Sequence, residues 1–158
     1  MEADSGEVEI NFFMKIMDIK ILKEVIKCFY PPILVYLIPN YLIGGYFRMY
    51  IIWPPYDILV HFLGGVSMAI TGYLLLKLCE KQNWIRLQNK YVFLLLIICY
   101  VCATATIWEF YEFLCDHYLG TFNQPSIADT MGDMLNGLVG GLVGGVMMVW
   151  KKPPPNIE

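Results

Sequence analysis

The chain has 158 residues, enough for one compact domain. It is 58% hydrophobic and 15% aromatic with only 16% charged residues, where a water-soluble domain carries about 25%; together with a mean hydropathy of +0.54, this excludes an ordinary soluble protein. The net charge of −3 is small, and the absence of a basic arm with interleaved aromatics excludes nucleic acid as a partner.

The chain opens with an acidic, polar stretch (Glu2, Asp4, Glu7, Glu9) that lacks the basic n-region of a cleaved signal peptide. Between residues 12 and 28, Ile16, Ile19, Leu22, Val25 and Ile26 alternate with Lys15, Lys20, Lys23 and Lys27 at helical spacing, apolar mainly on one side and basic on the other. Such a helix fits a membrane surface with anionic lipid head groups; a plain cytoplasmic extension of the first span is the competing reading. That span is expected over about 29–50, with Pro31 and Pro32 in its opening turn, a kink at Pro39 and close packing at Gly44-Gly45. Trp53-Pro54-Pro55-Tyr56 reads as a tight turn with interfacial aromatics.

A second span follows over about 57–79, roughly 34 Å of helix against a hydrocarbon core of about 30 Å. After a basic loop to Lys90 come a third span over 91–113, a polar loop holding Asp116 and His117, and a fourth span over 127–150 capped by Ser126 or Asp129. The expected fold is therefore all-α: a polytopic membrane protein with four transmembrane helices (29–150), an N-terminal amphipathic surface segment (1–28) and a short tail (151–158). Gly137, Gly141 and Gly145 form one four-residue ladder and Gly140 with Gly144 another. Small residues at this spacing let helices approach closely, either inside the four-helix unit or in a homo-oligomer through the fourth helix. The scattered cysteines (Cys28, Cys79, Cys99, Cys102, Cys115) read as small buried hydrophobes rather than a structural zinc site.

The basic residues set the topology. With the N-terminus inside, Lys15, Lys20, Lys23, Lys27, Lys77, Lys81, Arg86, Lys90, Lys151 and Lys152 are all cytoplasmic, and Arg48 alone lies outside. The expected location is the cell membrane, multi-pass, with both termini cytoplasmic.

This topology sends the acids to one place. Asp57 and His61 open the second span on the outer side, Glu109 and Glu112 close the third there, and Asp129 and Asp133 open the fourth. Pairs spaced i,i+4 or i,i+3 project from one side of a helix. Helix-dipole and capping effects account for Asp57 and Asp129. They fail for Glu109 and Glu112, near a helix C-terminus, and for Asp133, one turn deeper. Five carboxylates with Arg48 as the one outward cation would repel unless some are protonated or share a cation.

Three readings follow. The cluster of Asp57, His61, Glu109, Glu112, Asp129 and Asp133 holds a divalent metal, as carboxylates and imidazole do in di-metal helical bundles. The mostly oxygen donor set is open to Mg, Mn, Ca, Fe or Zn. In that reading Asn136, Trp108 and Tyr56 support the ligands, Trp108 and Tyr56 also being interface anchors, and Glu109 or Glu112 is the general base for hydrolysis or modification of an envelope lipid or glycan. Alternatively, the acids relay protons or cations for transport, although only Ser67, Thr71, Thr104 and Thr106 offer polar groups deeper in the spans. In the third reading they form a protonated network that only holds the helices together. No nucleophile motif supports an enzyme independently. His117 beside Asp116 reads as a solvated loop residue.

Three motifs in order carry a family likeness: Tyr56-Asp57-Ile-Leu-Val-His61-Phe62-Leu-Gly64-Gly65, Trp108-Glu109-Phe-Tyr-Glu112-Phe113 and Asp129-Thr130-Met131-Gly132-Asp133-Met-Leu-Asn136-Gly137. They resemble a family of small prokaryotic membrane-spanning proteins with the pattern D-x-x-x-H-F, W-E-x-x-E-F and D-T-x-x-D, over about residues 40 to 146. More distantly, they are similar to VanZ-like proteins, which pair a D-x-x-x-H helix with a later D-x-x-x-N-x-x-G helix and are linked to teicoplanin resistance. Glu109 and Glu112 depart from the glutamate-glutamine element of those proteins. The resemblance implies the fold and singles out the same residues; it implies no particular reaction.

Overall fold

The computed structural model describes residues 19–151, and their regular structure is entirely helical. The expected amphipathic stretch is covered only from Ile19 onward; its first part and the tail beyond Lys151 lie outside the described residues.

Helix α1, Ile19–Cys28, carries the lysine and apolar faces read from the sequence and lies against the basic end of the long helix that begins at Tyr56. The Thr71 hydroxyl fixes it there by donating to the Cys28 carbonyl (2.8 Å). Helix α2, Tyr30–Val35, starts on Pro31 and Pro32 and runs directly into an 11-residue π-helix, π1, Tyr36–Tyr46. Pro39 is the physical cause: it has no N–H to donate, and its ring crowds the carbonyl four residues earlier, so the backbone opens into a wider turn. Arg48, at φ 57°, then breaks the chain before the short helix α3, Met49–Ile52. The segment expected as one kinked span is thus three pieces.

Among the described residues, three helices are long and apolar enough to cross a membrane: α4, Tyr56–Lys81; α5, Lys90–Leu119; and α6, Ile127–Lys151. At 1.5 Å per residue they measure about 39, 45 and 38 Å, each longer than a hydrocarbon core of about 30 Å. Asn89 caps α5 by accepting from the Tyr91 and Val92 amides, and Gly120, at φ 67°, ends it in the left-handed conformation that glycine adopts without strain. Ser126 caps α6 by accepting from the Asp129 amide (3.2 Å). Because α5 reaches Leu119, Asp116 and His117 stand on its last turns and not in a loop. His117 is exposed and stacks on Phe113.

Helices α4 and α6 run parallel and touch through backbone. A side chain on Gly65 would overlap the Gly137 carbonyl, and one on Gly140 would overlap that of Phe62. Gly141 and Gly145 face Val101, Leu94 and Ile97 of α5. Both glycine ladders are therefore buried inside the chain and serve contacts with α4 and α5, so the expected homo-oligomer through the glycines gains no support; the exposed face of that helix carries Leu135, Val139, Leu142 and Val146. Toward the basic end, Ala69, Tyr73, Phe93, Ile97, Val101 and Val149 form a solid apolar core. Of the cysteines, Cys28 is buried, Cys79, Cys102 and Cys115 are half-buried, and Cys99 is exposed rather than interior.

Tyr56 is also not where an interface anchor would be. It is buried at 5% exposure, and its hydroxyl donates to the Pro39 carbonyl (2.7 Å), pinning π1 to the start of α4. Tyr50 donates likewise to Asn40 Oδ1 (2.6 Å). Replacing Tyr56 with Phe is expected to cost about 1 kcal/mol, which for a chain of this size lowers Tm by roughly 2–4 °C. An unchanged Tm would mean that the bond does not hold π1.

Candidate functional site

The parallel course of α4 and α6, with α5 antiparallel to both, puts the start of α4, the end of α5 and the start of α6 at one end of the molecule. His61 stands at the centre. Its Nε2 lies 3.5 Å from Asp57 Oδ1, one turn earlier on α4, and 3.8 Å from Asp133 Oδ2 across on α6. It also forms a second group with Glu109 and Glu112 of α5. In each group, Asp57–His61–Asp133 and His61–Glu109–Glu112, one donor atom per residue lies within 4.8 Å of the others, so the two triads share the imidazole.

Burial is uneven. Asp133 and Glu109 are buried at 6% exposure each, while Asp57, His61 and Glu112 are half-buried. Glu109 is held from outside its helix: Gln124 Nε2 donates to its Oε2 (2.8 Å) and to its carbonyl oxygen (3.0 Å). Asp116 organises the loop that brings Gln124 there, accepting from the Thr121 hydroxyl (2.6 Å) and from the Asn123 and Gln124 amides (both 2.8 Å). Glu112 Oε1 accepts from Trp108 Nε1 (3.0 Å), a bond that i,i+4 spacing permits on α5. Asp133 accepts no hydrogen bond among the described residues, its nearest partner being His61.

These residues line a cavity of about 820 Å³, together with Asp129. Asp129 stands at the wall outside both triads. Asn136 is not among the lining residues and bonds to no carboxylate among the described residues; one turn past Asp133, it has rotated off the cavity side. Of the three supporting residues read from the sequence, Trp108 alone touches a ligand-type carboxylate. Gln124 was missed, and nothing in its loop composition distinguishes it; only the Asp116-centred turn aims it at Glu109. Arg48 is exposed and makes no ion pair with the acids among the described residues. His61 is accordingly the one basic side chain within 4 Å of these carboxylates among the described residues.

Fold and site together define a helical integral membrane protein with a carboxylate- and histidine-lined cavity between its helices. A family model described as "Predicted membrane protein (DUF2238)" matches residues 25–152, most of the chain, and the chain belongs to that family. All three sequence motifs fall inside the match. Searches of curated proteins and of solved structures found no match, and the distant likeness to VanZ-like proteins gains no support from these comparisons.

Proposed function

We propose that the cavity holds a divalent metal ion on His61 and its surrounding carboxylates, and that this ion serves hydrolysis or modification of an envelope molecule. The observation that carries the reading is the shared imidazole: five carboxylates line one cavity, two triads meet at His61, and no lysine or arginine neutralises them among the described residues. Carboxylates kept ionised away from bulk water need a counter-charge, and a cation ligated at about 2.0–2.2 Å fits between donors that lie within 4.8 Å of one another. The nitrogen and oxygen donor set suits Mg, Mn, Ca, Fe or Zn. When bound, the ion supplies an acidified water and a Lewis acid. Glu112, oriented by Trp108, or Glu109, oriented by Gln124, would serve as general base, whichever leaves a carboxylate oxygen free of the ion.

In this reading α4, α5 and α6 span the bilayer, α2 with π1 forms a fourth, broken crossing, and α1 lies at a surface rich in anionic lipid. Lys77, Lys81, Arg86, Lys90 and Lys151 stand at the basic end, which the positive-inside rule puts in the cytoplasm, so the cavity opens outward. A transport role fits less well, because the apolar core of Ala69, Tyr73, Phe93 and Ile97 closes the path toward the basic end. A purely structural role also fits less well, since the acids line a void and, among the described residues, only the His61–Asp133 pair joins one helix to another through them. The test is the metal content of detergent-purified protein by elemental mass spectrometry, beside a Glu112→Gln/Asp133→Asn double variant. Near-stoichiometric metal in the parent that drops to background in a folded double variant is expected. A parent purified with its membrane and free of metal would sink the proposal.

A further inference from the structure

The cavity is much larger than an ion and its waters require, and its two ends differ. On α4 its lining runs from Asp57 to Met68, and on α5 from Glu112 back to Val101. Both intervals are eleven residues, so the cavity follows the two antiparallel helices for about 16 Å, roughly half a hydrocarbon core. The carboxylates occupy one end only. Two hydroxyls line the other end, and both are satisfied within their own helices: Ser67 donates to the Gly64 carbonyl (2.7 Å), and Thr104 to those of Val101 (3.0 Å) and Tyr100 (3.1 Å). With Met68, Val101 and Ala105 around them, the inner wall offers a ligand no free donor. A glycan carries polar groups along its whole length and would leave them unpaired there, at a cost that rejects it.

On one side the cavity wall is not closed by backbone packing. Helix α2 and π1 contribute Pro32, Val35, Tyr36 and Asn40 to its wall, yet no Cα of either lies within 8 Å of a Cα in α5. What crosses that gap is an edge-to-face ring pair, Tyr36 with Trp108, whose centroids are 6.1 Å apart. Trp108 is the residue that also donates to Glu112. A molecule passing sideways between α2–π1 and α5 would therefore pass the pair that positions one of the acids.

We infer that the occupant of this cavity is a membrane lipid, which slides in between π1 and α5, places a hydrocarbon chain against Gly64, Met68 and Val101, and presents its head group to the His61 cluster. The inference rests on the metal reading for what happens at the head group; the chain slot stands on the shape and polarity of the wall. Gly64 offers a direct probe. It lines the slot, and a Cβ built there meets nothing within 4 Å, so a side chain can leave the backbone at this point and extend into the slot.

The experiment uses the full chain, purified in detergent, exposed to vesicles of phosphatidylethanolamine and phosphatidylglycerol and re-isolated. Bound lipid is counted by native mass spectrometry and metal by elemental analysis of the same sample. The parent is expected to retain one lipid per chain, whereas Gly64→Trp, and Thr104→Phe from the opposite wall, reduce that occupancy at least tenfold with metal unchanged. Glycerol phosphate, a head group without chains, should not compete. Gel filtration and Tm establish folding, and either folded variant suffices. Lipid retained by a folded, slot-filled variant at the parent's level, or lipid displaced by glycerol phosphate, overturns the inference. Lipid lost from the variants when none of the samples contains metal upholds the slot and removes the metal reading. Metal in every sample with no lipid on the parent does the reverse.

Discussion

A valine at Gly65 or at Gly140 is expected to leave little folded protein. At each position the new side chain would run into backbone of the facing helix, Gly137 in one case and Phe62 in the other, and backbone has no rotamer to which it can yield. Overpacking of an ordinary core costs about 1–3 kcal/mol. Here the two helices must move apart, which places the cost at or above the top of that range and the fall in Tm near 10 °C or more. The milder Gly65→Ala is the more informative variant. Gly65 lies one turn after His61 on α4 and Gly137 one turn after Asp133 on α6, so the contact that brings the glycines together also sets the 3.8 Å between His61 and Asp133. A chain that survives Gly65→Ala with its helices pushed apart should lose metal affinity without any change to a ligand. Gly132→Ala, where an added Cβ meets nothing within 4 Å, is the control and should be neutral or slightly stabilising. Thermal unfolding in detergent with metal titration checks all four; a Gly65→Val protein as stable as the parent would show that the close approach of α4 and α6 is not needed.

That coupling explains what the sequence makes legible and what it hides. The i,i+4 spacing of Asp57/His61 and of Asp129/Asp133, and the alternation of long apolar runs with loops, are local facts; they foretell one end that collects the acids and four spans, of which the last three are long helices and the first is broken into pieces. The spacing of the glycines foretells close packing but not the partner. Choosing α4 and α5 over a second copy of the chain depends on which side of α6 the acids face, a tertiary outcome. Pro39 announces a disturbance in the first segment, and whether it resolves as a kink or as π1 depends on contacts such as Tyr56 to Pro39 and Tyr50 to Asn40. Asn136 illustrates the limit of spacing arguments. Three residues past Asp133 it is a near neighbour on the helix surface, yet the cavity wall passes it by and takes up Gly137, one residue further on. Asp116 and Gln124, by contrast, act through a turn whose hydrogen bonds close only after α5 has been extended to Leu119.

Removing the His61 imidazole is expected to be the most damaging single change at the site. His61→Ala breaks both triads at once, whereas Asp57→Asn touches only the first and Glu112→Gln only the second. Asp129→Asn touches neither, although Asp129 lines the same cavity and carries the same charge. If the acids bind a cation merely as a diffuse negative field, the four variants should weaken it in proportion to the negative charge removed; His61→Ala, which removes none, should then have the least effect. If the donors are ligands, the order reverses: His61→Ala the worst, Asp57→Asn and Glu112→Gln intermediate, and Asp129→Asn close to the parent. Trp108→Phe, which removes the bond orienting Glu112, should cost about 10–100-fold in affinity, as the loss of outer hydrogen-bond partners does at metal sites, and His61→Ala should cost more. Titration of the purified variants with Mn²⁺, followed by the loss of its free-ion paramagnetic resonance signal, ranks them directly. An Asp129→Asn protein as impaired as Asp57→Asn and Glu112→Gln, with His61→Ala the least affected of the four, would refute the ligand geometry, since only a diffuse field weighs every carboxylate alike and ignores membership of the triads.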